Sequence, residues 1–156
     1  MEKVLSCCQI NLQKSKAAST ALNNRSESLV FITEPYTYGG KIKLLNCDKT
    51  QVLTDSSSSA PARAALRVEN GLNPWLVPEY TSRDMCIAAI KIKNRTVYVC
   101  SLYLDINFEV GSSPLRELAD MCNRERIPLV VGMDSNTHSP LWGCPDRNER
   151  SWRRSC

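Results

Sequence analysis

The sequence predicts an α/β sandwich, with mixed sheets covered by helices. Strand–helix–strand patterns occur at both ends of the chain, antiparallel hairpin candidates lie between them, and no internal repeat or linker interrupts the series. Alternation favours parallel pairing and hairpins favour antiparallel pairing, so the sheets are expected to be mixed.

Residues 4–10 read as a strand ending in Asn11. Ser15 can cap a helix running to about Arg25, with Ala18, Leu22 and Ala21 on its inner face. Leu29-Val30-Phe31-Ile32 is a short continuous apolar run, as expected of a strand buried on both faces. It stops at Thr33-Glu34-Pro35, because proline lacks an N–H and restricts the residue before it. Gly39-Gly40 marks a turn, and strand candidates follow at 42–45 and 51–54. The serines at 56–59 with Pro61 form a loop. Three further strands are expected at 63–68, 85–92 and 96–102, the last two joined as a hairpin through Lys93-Asn94-Arg95. Ser113-Pro114 is a strong helix start, with proline at the first helical position. Leu115, Leu118, Ala119 and Cys122 then form an apolar stripe, and residues 127–131 make a last buried strand closed by Gly132.

The 156 residues suit one domain, with 42% apolar and 23% charged side chains. No apolar run approaches the ~20 residues that span a bilayer, so no membrane is expected as a partner. The first residues lack the segments of a signal peptide, which points to an intracellular protein. A net charge of +4 permits contact with a phosphate backbone without demanding it. Arg147, Arg150, Arg153 and Arg154 bunch near the end, as in a nucleic-acid-binding tail or an ordinary solvated terminus. Eight cysteines raise the question of zinc or disulfides, yet none has CxxC spacing and a lone histidine excludes a Cys2His2 set. Cys86, Cys100 and Cys122 fall in apolar periodic segments, where cysteine behaves as a small hydrophobe, so reduced thiols are expected.

Four predicted strands end in polar residues: Asn11, then Glu34, then Tyr103 and Asp105, then Asp134 and Asn136. Ligands of α/β sheets collect outside the carboxyl ends of strands, so these side chains can converge if the strands share a central region. Glu34 and Asp134 offer the hard oxygen ligands that magnesium takes. Asn11, Asn136 and Tyr103 can hydrogen-bond phosphate oxygens without adding repulsive charge. Asp134 and Asn136, two apart, share a face if the segment is extended. Taken singly, each residue also fits a plainer role. Glu34 suits a solvated turn, Asp134-Ser135-Asn136 a strand-to-loop turn, and Tyr103 a half-buried sheet aromatic.

The segment Gly132-Met133-Asp134-Ser135-Asn136-Thr137-His138-Ser139-Pro140-Leu141-Trp142-Gly143 resembles one found in the endonucleases of non-LTR retrotransposons, members of the exonuclease–endonuclease–phosphatase superfamily. Gln9-Ile10-Asn11-Leu12, Ile32-Thr33-Glu34-Pro35-Tyr36, Arg63-Ala64-Ala65-Leu66 and Tyr98-Val99-Cys100-Ser101-Leu102-Tyr103 resemble further family segments in the same order, and Asp146, Asn148 and Arg150 resemble the start of a later loop. The resemblance implies a four-layer α/β/β/α sandwich of the deoxyribonuclease type that nicks DNA with Mg2+, or with Mn2+. It implies that Glu34 and Asn11 serve the metal, that Tyr103 contacts the scissile phosphate, that Asp134 orients the attacking water and that Asn136 binds a phosphate oxygen. The nick would prime reverse transcription, and such domains act in the nucleus beside a reverse transcriptase, of which these residues carry no segment.

By that likeness, residues 1–150 are the N-terminal portion of the domain and 151–156 a basic tail outside it. Ser151 stands where the family has glycine, and His138 is not the family's terminal catalytic histidine. The later Ser-Asp-His segment has no counterpart among the 156 residues, which predicts weak or absent nicking by this chain alone. Two other functions stay open: a non-catalytic remnant that binds nucleic acid, and a relative acting on lipid phosphates.

Overall fold

Two strand–helix–strand units set the frame of the computed structural model, which describes residues 4–45, 48–105 and 114–136. The first comprises β1 (Cys7–Asn11), α1 (Lys16–Leu22) and β2 (Leu29–Thr33), with β1 and β2 parallel. The second comprises β9 (Arg95–Tyr103), α2 (Pro114–Glu125) and β10 (Leu129–Asp134), with β9 and β10 parallel. Between them lie β3 (Thr37–Tyr38), β4 (Lys41–Ile42), β5 (Thr50–Leu53), β6 (Ala64–Glu69), β7 (Trp75–Leu76) and β8 (Met85–Ile92). Their pairings are antiparallel, giving two mixed sheets of order β1-β2-β6-β5 and β10-β9-β8-β7 and a small β3–β4 hairpin.

Three apolar clusters separate four layers. Leu12, Leu22, Val30, Ile32, Leu45 and Ala65 join α1 to the outer face of the first sheet. Leu29, Phe31, Leu66 and Val68 meet Cys86, Ala88, Ile90 and Val99 between the two sheets. Met85, Ile87, Ala89, Cys100 and Leu102 pack with Leu118 and Cys122 of α2 on the far side. Successive strand residues face opposite ways, so β2 and β9 each feed two clusters, which is why both read as almost unbroken apolar runs. The α/β/β/α sandwich expected from the sequence is therefore the observed architecture.

Several local expectations change. Ser15 does cap α1, its hydroxyl accepting from the Ala18 N–H at 3.2 Å. The helix ends at Leu22 rather than Arg25, and Ser19 rather than Ala21 lies on its buried face. Asn23, Asn24 and Arg25 continue with N–H bonds to the carbonyl three residues back, a tighter turn that swings the chain off the helix axis. In α2 the stripe keeps Leu115, Leu118 and Cys122, but Ala119 is exposed and Met121 packs instead. The strand foreseen at 42–45 stops at Ile42, although Leu45 is buried.

Gly132 does not close the last strand, which runs through it to Asp134. A Cβ there would lie 2.4 Å from Phe31 Cγ, so the glycine lets the two sheets approach. Ser101 ties them beside it, its hydroxyl donating to Ile32 O at 2.8 Å. Gly39 and Gly40, at φ +59° and +75°, make the β3–β4 turn. The short turn Asn70–Leu72 and strand β7 carry too few residues for a periodic signal, and no sequence pattern announced them.

The five described cysteines form no disulfide, and Cys86, Cys100 and Cys122 are buried as small hydrophobes. No helix among the described residues is long and apolar enough to cross a membrane. Ser113, His138, the 137–143 part of the resembling segment, Asp146, Asn148, the arginines from 147 onward and the 151–156 tail lie outside the described residues.

Candidate active site

Parallel pairing aligns strand ends. Because β1 and β2 run together, Asn11 and Thr33 are register partners, and Glu34 follows directly. Because β9 and β10 run together, Tyr103 and Asp134 are partners on one face of the second sheet. Strand β10 packs across β1 and β2, which lays these two carboxyl edges side by side.

Asn11 joins the two edges. Its Nδ2 donates to Asp134 Oδ2 at 2.6 Å and to Glu34 Oε2 at 3.1 Å. Its Oδ1 accepts from the Gln13 N–H at 2.8 Å, an Asx turn that fixes which end of the amide faces the acids. One neutral donor thus holds two carboxylates from different sheets, and the group is only half-buried. Lys14 Nζ stands 3.8 Å from Glu34 Oε1, but the lysine is 67% exposed and the pair contributes little.

The backbone around this group is strained. Gln13, Lys14, Glu34 and Asn136 all have positive φ, between 47° and 56°, where a side chain is disfavoured. Backbone bonds over-determine them: Lys14 N–H donates to Glu34 O at 2.8 Å, and Glu34 N–H donates to Arg63 O at 2.8 Å.

The left-handed turn at Asn136 also breaks the alternation expected after Asp134. The Asn136 amide donates to Leu104 O at 2.7 Å, and its N–H donates to Asp134 Oδ1 at 3.1 Å. It therefore braces the site from the Leu104 side and reaches the Asn11 group through its main-chain bond to Asp134. Asp105, also at a strand end, pairs with Arg63 at 2.6 Å.

Sequence reasoning placed Arg63 in a strand and gave no role to Asp84. Arg63 Nε and Nη2 grip both oxygens of Asp84 at 2.5 and 2.6 Å, and its Cζ stands 4.6 Å from the Tyr103 ring centroid. The Asp84 hydrogen bond, outweighing burial, holds this guanidinium even more firmly protonated than usual. Asp84 and Asp105 lie 21 and 42 positions from Arg63, so no local spacing signals them.

Glu34 and Asp134 form an all-oxygen pair with no thiol or imidazole among them, the chemistry that a hard divalent cation takes, while Asn11 turns its Nδ2 to both and its Oδ1 to the Gln13 N–H. Among the described residues, no three acidic, cysteine or histidine side chains gather to enclose a metal. The set fits a cation that keeps much of its water, as Mg2+ does.

No protein-family model matches the chain. It is 26% identical over 147 residues to a 115 kDa protein of the type-1 retrotransposable element R1DM of Drosophila melanogaster, covering 89% of this chain and 14% of that protein. Among solved structures it is similar to the endonuclease domain of TRAS1, a telomere-specific non-LTR retrotransposon, with a TM-score of 0.65, 23% identity, and coverage of 91% of this chain and 64% of that one. It also superposes on a humanized D. rerio TDP2, with a TM-score of 0.56, 12% identity and coverage of 90% and 68%. Staphylococcus aureus beta toxin follows, with a TM-score of 0.58, 12% identity and coverage of 91% and 68%. The chain thus spans less than two thirds of the TRAS1 domain and a small part of the R1DM protein. The resemblance drawn from residues 132–143 is borne out: by fold this chain is similar to a non-LTR retrotransposon endonuclease domain, and by sequence to a retrotransposon protein.

Proposed function

We propose that this chain carries the phosphodiester-cleaving site of a retrotransposon DNA endonuclease, acting with Mg2+ or Mn2+. The observation that carries the reading is the single Asn11 amide holding Glu34 and Asp134 from two different sheets. Two carboxylates with one amide repel a DNA phosphate, so a substrate of that charge requires a cation between them. Glu34 would ligate it, with Asn11 holding the carboxylates in place, and when bound it stabilises negative charge on the phosphate and leaving oxygens.

Asp134 then faces the scissile group from the second sheet and orients the attacking water. Water adds to phosphorus, the bond to the 3′ oxygen breaks, and a 3′ hydroxyl leaves. Tyr103, the register neighbour of Asp134, would hydrogen-bond a phosphate oxygen through its hydroxyl without adding charge. Asn136 keeps the Leu104 carbonyl and Asp134 in place and offers a further amide contact at the rim. DNA is the partner in this reading, and the nucleus its site of action.

The test is conversion of supercoiled plasmid to the nicked form with Mg2+ present and its suppression by EDTA. Glu34→Ala and Asp134→Ala are each expected to lower the rate by about 100-fold or more. Robust nicking by the double variant would remove the reaction from this site. The match leaves part of the TRAS1 domain without a counterpart, so nicking is expected to be weak for these residues alone and to rise when a matching C-terminal portion is supplied. The same coverage favours a second reading, nucleic-acid binding without hydrolysis. Salt-dependent DNA binding with no nicking in either form would support it, because phosphate contacts release counterions.

A further inference from the structure

We propose that Arg63 is the positioning residue of this site, holding the Tyr103 ring in place for the phosphate; the proposal rests on the nuclease reading of Tyr103. Arg63 directly precedes β6 of the first sheet, whereas Asp84 directly precedes β8 of the second, Tyr103 ends β9 and Asp105 follows two residues on. Its guanidinium is held on two sides. Nε and Nη2 form a fork on Asp84, and Nη1 donates to Asp105 Oδ2 at 2.6 Å. Held this way, its plane has one position, and the Tyr103 ring lies against it at 4.6 Å. The ring face carries negative quadrupole density, so the cation attracts it there.

The backbone completes the connection. Tyr103 N–H donates to Asp84 O at 2.8 Å, so the acid that orients Arg63 also holds the tyrosine's own main chain. On the other side, Arg63 O accepts from the Glu34 N–H at 2.8 Å. One residue therefore touches both halves of the site, the carboxylate side through its carbonyl and the tyrosine side through its guanidinium.

Stability alone does not account for this arrangement. Asp84 and Asp105 are more than a third exposed, and ion pairs of that kind contribute little. What the fork supplies is direction. Lysine keeps the charge but has neither the planar fork nor the stacking face. The guanidinium is also too fully engaged by Asp84, Asp105 and the ring to serve as a free phosphate ligand.

The experiment compares wild type, Arg63→Lys, Asp84→Asn, Tyr103→Phe and the Arg63→Lys/Tyr103→Phe double variant. Ring-labelled tyrosine NMR assigns the Tyr103 resonances by their loss in Tyr103→Phe. Arg63→Lys is expected to shift those resonances and leave the other four tyrosines in place, and Asp84→Asn to reproduce the shift without touching Arg63. In metal-dependent nicking, Arg63→Lys is expected to lower kcat about tenfold with KM little changed, as misplacement of a reacting contact does. It should cost almost nothing further once Tyr103 is phenylalanine. Unmoved Tyr103 resonances in a folded Arg63→Lys protein would overturn the proposal, as would independent, multiplying losses in the double variant. If wild type nicks nothing even with a matching C-terminal portion supplied, the nuclease reading falls and the role of Arg63 in this site falls with it. Shifted resonances would then leave only a structural contact.

Discussion

At the scale of single residues, Gly132 shows how one hydrogen atom can set the spacing of two sheets. An added Cβ would meet three Phe31 atoms, at 2.4, 2.5 and 2.8 Å, on a side chain that is itself buried. Gly132→Ala is therefore expected to cost ~1–3 kcal/mol, the usual range for overpacking. The thermal midpoint should fall by roughly 3–10 °C for a chain of this size. Adding Phe31→Leu to the alanine variant should recover part of the loss, and an unchanged midpoint for Gly132→Ala alone would show that the sheets can yield. Two residues further on, Asp134 receives the Asn11 amide, so a shift of β10 away from β2 would also open the candidate site.

At the scale of elements, α1 has seven residues, too few to persist without help from its ends. Ser15 supplies the first end and buried Arg67 the second, donating to Leu22 O at 2.5 Å and Arg25 O at 3.1 Å. A guanidinium at the last carbonyls of a helix adds charged hydrogen bonds there and complements the helix dipole. Ser15→Ala should cost about 1 kcal/mol. Arg67→Met keeps much of the volume but removes both charged hydrogen bonds, with an expected loss of ~2–4 kcal/mol. Denaturant midpoints give the two values, and amide exchange should accelerate first in residues 16–25. An Arg67→Met cost below that of Ser15→Ala would refute this account of how the helix is closed.

For the whole molecule, the four layers sort the cysteines. Cys86 lies between the sheets and Cys100 between the second sheet and α2, while Cys7 and Cys8 lie on the outer strand β1. Burial pushes the Cys100 thiol up to about 12 and the Cys86 thiol beyond the usual thiol range. A raised pKa means that the folded chain keeps protons which the unfolded chain releases. These two groups therefore leave stability unaffected below the unfolded thiol range near 9, and lower it progressively as the pH rises above that. At neutral pH a neutral alkylating reagent should modify Cys7 and Cys8 and spare Cys86, Cys100 and Cys122 until denaturant is added, as read by peptide mapping. Rapid native labelling of Cys86 would mean that the sheets part without global unfolding.

The sequence by itself determined the alternation of elements and hence the sandwich. Runs such as 29–32, 85–92 and 96–102 are apolar on both faces only because layers lie on both sides of them. It also showed Asn11, Glu34, Tyr103 and Asp134 as strand-end residues, since a polar side chain closing an apolar run is a local signal. Boundaries and faces were less legible. Ser19 replaced Ala21, and Gly132 lay within its strand, because both depend on what packs opposite.

Only the tertiary structure decided which strand ends meet. Asn11 and Asp134 are 123 positions apart, and they touch because β1–β2 and β9–β10 are parallel pairs whose carboxyl edges pack side by side. The same holds for Arg63 with Asp84 and Asp105, a contact across two sheets that no spacing along the chain encodes. Periodicity records which side of an element faces apolar surroundings; it does not record what stands there.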